Sequence, residues 1–185
     1  VATDDARIQA AAEAFGAEVV MTSETCRNGT ERCAEAHAAL GGGYDIVVNL
    51  QGDAPLTPHW FVEGLVQGLK DMPEAEIATP VLRCDGATLN SLLGDRKAGR
   101  VGGTKAVFGA DNRALYFSKE VVPYTGKPFA ETDMTPVFHH VGVYAYRPDA
   151  LAQYPSWPVG PLEQLEGLEQ LRFLETGRAV LCPKV

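Results

Sequence analysis

Basic residues are scarce in these 185 amino acids: 16 Lys and Arg stand against 24 Asp and Glu, a formal net charge of −8. That argues against broad binding to nucleic acid or to an anionic membrane, because such partners need a basic face to displace counterions. Long apolar runs are also missing. No stretch approaches the roughly 20 residues that cross a bilayer, and no basic stretch leads into an apolar one as a signal peptide would. The expected location is cytoplasmic, with no membrane partner. Cysteine is sparse. Cys26, Cys33, Cys84 and Cys182 form neither the close pairs of a zinc site nor a disulfide framework, and they read as free, partly buried thiols. A Walker loop, a GxGxxG fingerprint, HExxH spacing and serine or cysteine hydrolase signatures are all absent.

What is present is an ordinary globular balance, 45% hydrophobic and 22% charged. The length suits one domain over residues 1–185, able to bury roughly 70% of the surface its unfolded chain exposes. Val1-Ala2-Thr3 reads as the end of a strand, and Asp4-Asp5 can cap a helix over 6–15 whose face is Ile8, Ala11, Ala12 and Phe15. A short strand follows over 18–21, then a polar loop and an alanine-rich helix over 31–40 closed by three glycines. Asp45 to Leu50 is nearly all apolar, as expected of a central strand covered on both faces.

A helix over 58–70 with Phe61, Leu65 and Leu69 on one face and a strand over 77–82 continue the alternation, which predicts a doubly wound α/β sheet. A hairpin is expected over 105–117, turning at Gly109 to Asn112, and a further strand over 137–146. A short helix over 148–154 precedes a longer one over 161–176. In the longer one Leu162, Leu165, Leu168, Leu171 and Leu174 line one side, Pro161 suits the first position and Gly177 the end. A last strand covers 179–182.

Ligands of such sheets bind at the carboxyl ends of strands, which points to Gln51-Gly52-Asp53. Asp53 is placed either to hold Mg²⁺ against a nucleoside triphosphate or merely to open the turn before Pro55. Asn28-Gly29-Thr30-Glu31-Arg32 leads into a helix and reads as turn and cap chemistry, or as a ligand loop using the helix amides. His139 and His140 are strand neighbours, so only one of them can face a cleft. Glu163 in the first turn of the long helix suits the helix dipole whatever else it does.

Together, VATDDARI, EVVMTS, NGTERCAEA, VVNLQGDAPL, KAVF, ALYFSKEVVPY, HHVGVYAYRPDAL and GPLEQLEGLEQLRFLETG resemble, in this order, the central and C-terminal parts of the CMP-Kdo synthetase (3-deoxy-manno-octulosonate cytidylyltransferase) family. The resemblance implies a Rossmann-like three-layer nucleotidyltransferase fold, mostly parallel with an added antiparallel hairpin region. It implies transfer of CMP from CTP to Kdo or a related acidic sugar, with Mg²⁺ as cofactor, pyrophosphate released, and a homodimer serving lipopolysaccharide or surface polysaccharide synthesis. By the same resemblance Asp53 is the catalytic Mg²⁺ ligand. Gln51, His140, Tyr144, Glu163 and Gln164 line the sugar pocket, and Asn28, Gly29 and Arg32 meet the cytidine. Lys105 and Tyr116-Phe117-Ser118 are assigned to packing and the dimer contact.

The chain departs from the family pattern in three places: Ala54 stands for an acid, Asn28 for a serine and His139 for an arginine. These departures keep open another acidic sugar, such as a sialic acid, or a non-catalytic nucleotide- or sugar-binding protein. The family's basic phosphate-binding loop and second metal-binding aspartate have no match among these residues, so turnover is expected to depend on supplying them.

Overall fold

The computed structural model describes residues 1–185. β1 (Ala2–Thr3) and β2 (Val20–Met21) pair in parallel, with Ala2 opposite Val20. Between them runs α1 (Ala6–Ala14), started by Asp5, whose side chain accepts from the Arg7 amide at 2.7 Å. The expected apolar face of α1 is not buried. Ala12 is packed, but Ile8 is half exposed and Phe15 is 74% exposed, because β1 and β2 pair only with each other and no other element covers that side.

α2 (Gly29–Ala39) leads to β3 (Val47–Leu50), and α3 (His59–Asp71) leads to β4 (Ile77–Ala78). α3 buries Phe61, Leu65 and Leu69, the three positions expected from their spacing. The predicted strand over 77–82 is two strands, β4 and β5 (Val81–Asp85), broken at Thr79-Pro80. α4 (Gly86–Lys97) follows, capped by Asp85 through the Thr88 amide at 2.8 Å. The hairpin forms as expected from β6 (Lys105–Phe108) and β7 (Ala114–Ser118), with Asn112 in the left-handed region at φ 60°. The strand expected over 137–146 is also two, β8 (Met134–His140) and β9 (Val143–Tyr146), broken at Val141-Gly142.

Two four-stranded sheets result, ordered β10-β4-β9-β3, where β10 is Val180–Leu181, and β5-β8-β6-β7. In the first, β3, β4 and β10 share one direction and β9 runs against them. β3 is therefore the edge of this sheet rather than its centre, and of its four residues only Asn49 is buried. The second sheet is antiparallel throughout.

The two breaks face each other. Pro80 has no amide to offer a ladder, so the chain changes sheets there, and it returns at Val141-Gly142. Thr79 fastens this corner: its hydroxyl lies 3.1 and 3.0 Å from the carbonyl oxygens of Val141 and Val143, and 2.8 Å from His140 Nε2. Because carbonyls can only accept, the hydroxyl proton goes to them and His140 donates from Nε2.

The long helix predicted over 161–176 is divided. α5 (Pro148–Gln153) and a turn of 3₁₀ helix over Tyr154–Ser156 precede α6 (Pro161–Glu166), and α7 (Leu171–Glu175) follows. Gly167 ends α6 in the left-handed region at φ 62°, which an L side chain resists. Leu171 is buried, Leu168 and Leu174 pack partly, Leu162 is more exposed and Leu165 is 84% exposed. The split is held from outside: the Glu166 carboxylate accepts from Ser118 Oγ (2.6 Å), the Lys119 amide (2.8 Å) and the Tyr116 hydroxyl (3.2 Å). Glu175 caps the start of α6 through the amides of Leu162 and Glu163.

The largest core cluster gathers Phe117, Tyr144, Tyr146, Leu151, Tyr154 and Phe173. Tyr144, Tyr146, Phe173 and Tyr154 stack in sequence, with centroids 6.0, 6.1 and 5.2 Å apart. Burying each ring contributes roughly 2 kcal/mol. A buried phenol also needs a partner for its hydroxyl, and those partners lie in the site.

Candidate functional site

Asn28 starts α2. Its backbone is extended, its Oδ1 accepts from the Glu31 amide at 2.9 Å, and Glu31 reaches back to the Arg27 amide at 2.8 Å, a reciprocal cap. Nδ2 of Asn28 donates to the Tyr154 hydroxyl at 3.1 Å. Gly29 lies so close to the side chains at and just past the end of β3 that a Cβ there would stand 3.0 Å from Asn49 Nδ2 and Gln51 Nε2. The loop over 27–31 is thus seated on the carboxyl end of β3.

The three core phenols rise to this level. Tyr146 shares a 2.8 Å hydrogen bond with Thr30 Oγ1, Tyr154 donates to the Glu169 carbonyl at 3.1 Å, and Tyr144 donates to Gln170 Oε1 at 3.3 Å. Glu169 closes the circle, accepting from Gln51 Nε2 at 3.0 Å and from the Thr30 amide at 2.9 Å. Above them opens a cleft of about 430 Å³, lined by Arg27, Asn28, Tyr144, Val159, Glu163, Gln164, Gly167, Leu168, Glu169, Gln170 and Arg172.

Beneath one wall lies a chain of charges. Arg172 is buried, its Nε and Nη2 donating to the two oxygens of Glu163 at 2.6 Å each and its Nη1 to Glu31 at 3.1 Å. Arg27 pairs with Glu31 from the open side at 2.5 Å. Burial pushes the Glu31 carboxyl up, but the hydrogen bonds from Arg27 and Arg172 outweigh it and hold the group below the usual carboxylate range. Burial lifts the Tyr144 phenol well above its usual range, and the negative charges of Glu169 and Asp53 push the same way.

Of the residues expected in the sugar pocket, the structure brings Tyr144, Glu163 and Gln164 to the cleft, and Gln51 to its edge through Glu169. Glu163 spends both carboxylate oxygens on Arg172. Gln164 is exposed and donates weakly to the Val159 carbonyl at 3.3 Å. His140 stands behind the wall, buried and tilted against Tyr144 with ring centroids 5.6 Å apart; burial lowers its pKa to about 3, so it is neutral. Of the nucleotide group, Asn28 lines the cleft and Gly29 backs onto β3. Arg32 does not join them: it faces the β1–β2 side, bonded to Asp4 at 2.8 Å and Thr22 at 2.5 Å, because four residues on from Asn28 the helix has carried it below the loop.

Asp53 is exposed just past β3. The turn is closed by the Ala54 amide on the Gln51 carbonyl at 3.0 Å, and α3 follows Pro58 without a side-chain cap, so the carboxylate serves neither.

Glu169, Gln170, Arg172 and Tyr154 were missed from sequence. The signal existed: Leu-Glu-Gln occurs twice, at 162–164 and 168–170. On one unbroken helix, six residues is about 600°, which turns the second copy to a different side from the first. The break at Gly167 brings it back to the same cleft. Gln170 is buried beside the cleft and its Nε2 has no hydrogen-bond partner in the protein. With Glu163 and Glu31 neutralised, the cleft offers amides, a phenol and the Glu169 carboxylate, a surface suited to a hydroxyl-rich ligand.

The cytidylyltransferase family model matches residues 1–180. The 3-deoxy-manno-octulosonate cytidylyltransferase of Maricaulis maris is 43% identical over 177 residues, 96% of this chain and 67% of that protein. The enzyme of the same name from Chlamydia caviae is 41% identical over 180 residues, 97% of this chain and 66% of that protein. The chain thus spans about two thirds of the length of these relatives. Among solved structures, CMP:2-keto-3-deoxy-manno-octonic acid synthetase complexed with CTP superposes with a TM-score of 0.81 at 35% identity, covering 98% of this chain and 69% of that one. The inositol-1-phosphate CTP transferase from T. maritima shares the fold alone, at TM-score 0.52 and 13% identity, over 98% of this chain and 63% of that one. Sequence and fold agree: the chain belongs to the 3-deoxy-manno-octulosonate cytidylyltransferase family.

Proposed function

We propose that this chain forms the nucleotide- and sugar-binding body of an enzyme that transfers CMP from CTP to 3-deoxy-manno-octulosonate, or a closely related acidic sugar, with release of pyrophosphate. The observation that carries this reading is the convergence of two turns, Arg27–Thr30 and Glu169–Gln170, over one cleft at the carboxyl end of β3. In the reaction a sugar hydroxyl attacks the α-phosphorus of CTP, a bond forms from its oxygen to that phosphorus, the bond from the phosphorus to the α–β bridging oxygen breaks, pyrophosphate leaves and the hydroxyl proton is lost to solvent. Catalysis of this kind is largely positioning. The loop over 28–30 offers polar groups to the cytidine, while Tyr144, Glu169, Gln170 and Gln51 orient the sugar hydroxyls. His140 acts from behind by fixing Tyr144.

Mg²⁺ takes one or two protein carboxylates and completes its shell with phosphate and water oxygens. The exposed, uncommitted carboxylate of Asp53 fits that demand, though no three His, Cys, Asp or Glu residues gather as a complete ligand set. Asp53 would hold the ion, which would offset the charge building on the phosphate oxygens. Family membership supports the rest of the reading: a homodimer in the cytoplasm, serving lipopolysaccharide or surface polysaccharide synthesis.

The test is pyrophosphate release by the full-length protein from CTP and a panel of acidic sugars with Mg²⁺. Turnover with Kdo is expected, and Asp53→Asn should lower it by about a hundredfold or more. Calorimetric binding of CTP with no turnover on any acceptor would instead favour a non-catalytic binding protein, and an unimpaired Asp53→Asn would remove Asp53 from the site.

A further inference from the structure

We propose that Arg172 is a positioning residue for this reaction, setting the nucleotide-facing loop and the sugar-facing turn in one register; the inference rests on the function proposed above. A buried ion pair is in itself weak evidence for stability, since withdrawing the charges from water costs several kcal/mol per ion and an apolar replacement is often neutral. What distinguishes Arg172 is that each part of its planar group meets a different segment. The Nε–Nη2 edge holds Glu163 of α6, Nη1 holds Glu31 of α2, and the flat face lies over the Tyr154 ring with Cζ 4.1 Å from its centroid.

Tyr154 passes the constraint on: its hydroxyl accepts from Asn28 and donates to the Glu169 carbonyl, both at 3.1 Å. Glu31 fixes the same loop from the other end, through the Arg27 amide. Arg172 and Tyr154 thereby tie both rims of the cleft, which lie about 140 residues apart in sequence, to one rigid floor. A lysine keeps the charge but has no fork and no planar face, so it can satisfy Glu163 and not the rest.

The experiment compares wild type, Arg172→Lys and Tyr154→Phe in the full-length protein, measuring Tm, kcat and the KM for CTP and for Kdo separately. Arg172→Lys is expected to raise both KM values by about tenfold while kcat at saturation moves by less than about threefold; Tyr154→Phe should show the same paired rise, smaller. A fall in Tm with both KM values unchanged, or a rise in only one of them, overturns the proposal. If Arg172→Lys does not fold, Tyr154→Phe decides, and unchanged KM values there overturn it. Should wild type show no turnover, the function proposed above fails by itself. Calorimetric affinities for CTP and for Kdo then carry the test: parallel weakening in Arg172→Lys supports positioning, and unaltered affinities refute it.

Discussion

His140 illustrates how a single side chain reports on its surroundings. It sits between Phe117 and Tyr144 and is bonded to Thr79 at the corner of both sheets. Burial lowers its pKa to about 3, against about 6.5 when unfolded. Between those values the unfolded chain binds a proton that the folded chain refuses. The stability present above pH ~6.5 is therefore lost as pH falls, at about 1.4 kcal/mol for each pH unit once the unfolded imidazole is fully charged. His139, whose pKa burial also lowers, adds a slope of the same sign. Tm should hold level from pH about 8 to about 7 and drop from there to about 5, and His140→Gln, which can still donate to Thr79, should flatten that drop; parallel curves would contradict this account. Glu31 acts at lower pH. Its folded pKa is depressed, so its contribution is complete above the ordinary carboxylate range and fades below it.

Among the elements, α4 was missed for want of a strong apolar stripe. Of its side chains only Leu89 and Leu92 are well buried, and the useful signs were Asp85 as cap and that leucine pair. Its two glycines separate local preference from packing. Gly94 lies inside the helix with open space around it, so Gly94→Ala should stabilise by about 0.5–1 kcal/mol. At Gly86 a Cβ would run into the Ala130 carbonyl, and Gly86→Ala should cost about 1–3 kcal/mol or more. Denaturant midpoints of the two variants should move in opposite directions. The helices and strands with regular spacing, α3 and the β6–β7 hairpin above all, were legible because their pattern and their burial coincide. The strands expected over 77–82 and 137–146 were legible as strands but not as pairs, since Thr79-Pro80 and Val141-Gly142 interrupt each run too briefly to mark a change of sheet. The leucine repeat after Pro161 misled for a related reason: it continues across Gly167 while the helix does not. Asn28, Tyr144, Glu163 and Gln164, expected from the family resemblance, line the cleft, whereas the place of Glu169 and Gln170 there depended on that break.

At the scale of the whole molecule, the corner at Thr79 makes two sheets into one unit, because two chain segments pass through it in opposite senses. We expect the 185 residues to unfold as a single domain. Hydrogen exchange should show the amides of the β3–β9 pair and of the β6–β8 pair losing protection at the same denaturant concentration; separate transitions would divide the chain into two domains.

The charge chain under the cleft alternates in sign along Arg27, Glu31, Arg172 and Glu163, so its members cancel one another. A carboxylated guest meets almost no net attraction from that wall and is sorted there by how well its hydroxyls match fixed dipoles. Discrimination at that wall then depends on the fit of hydroxyls more than on charge.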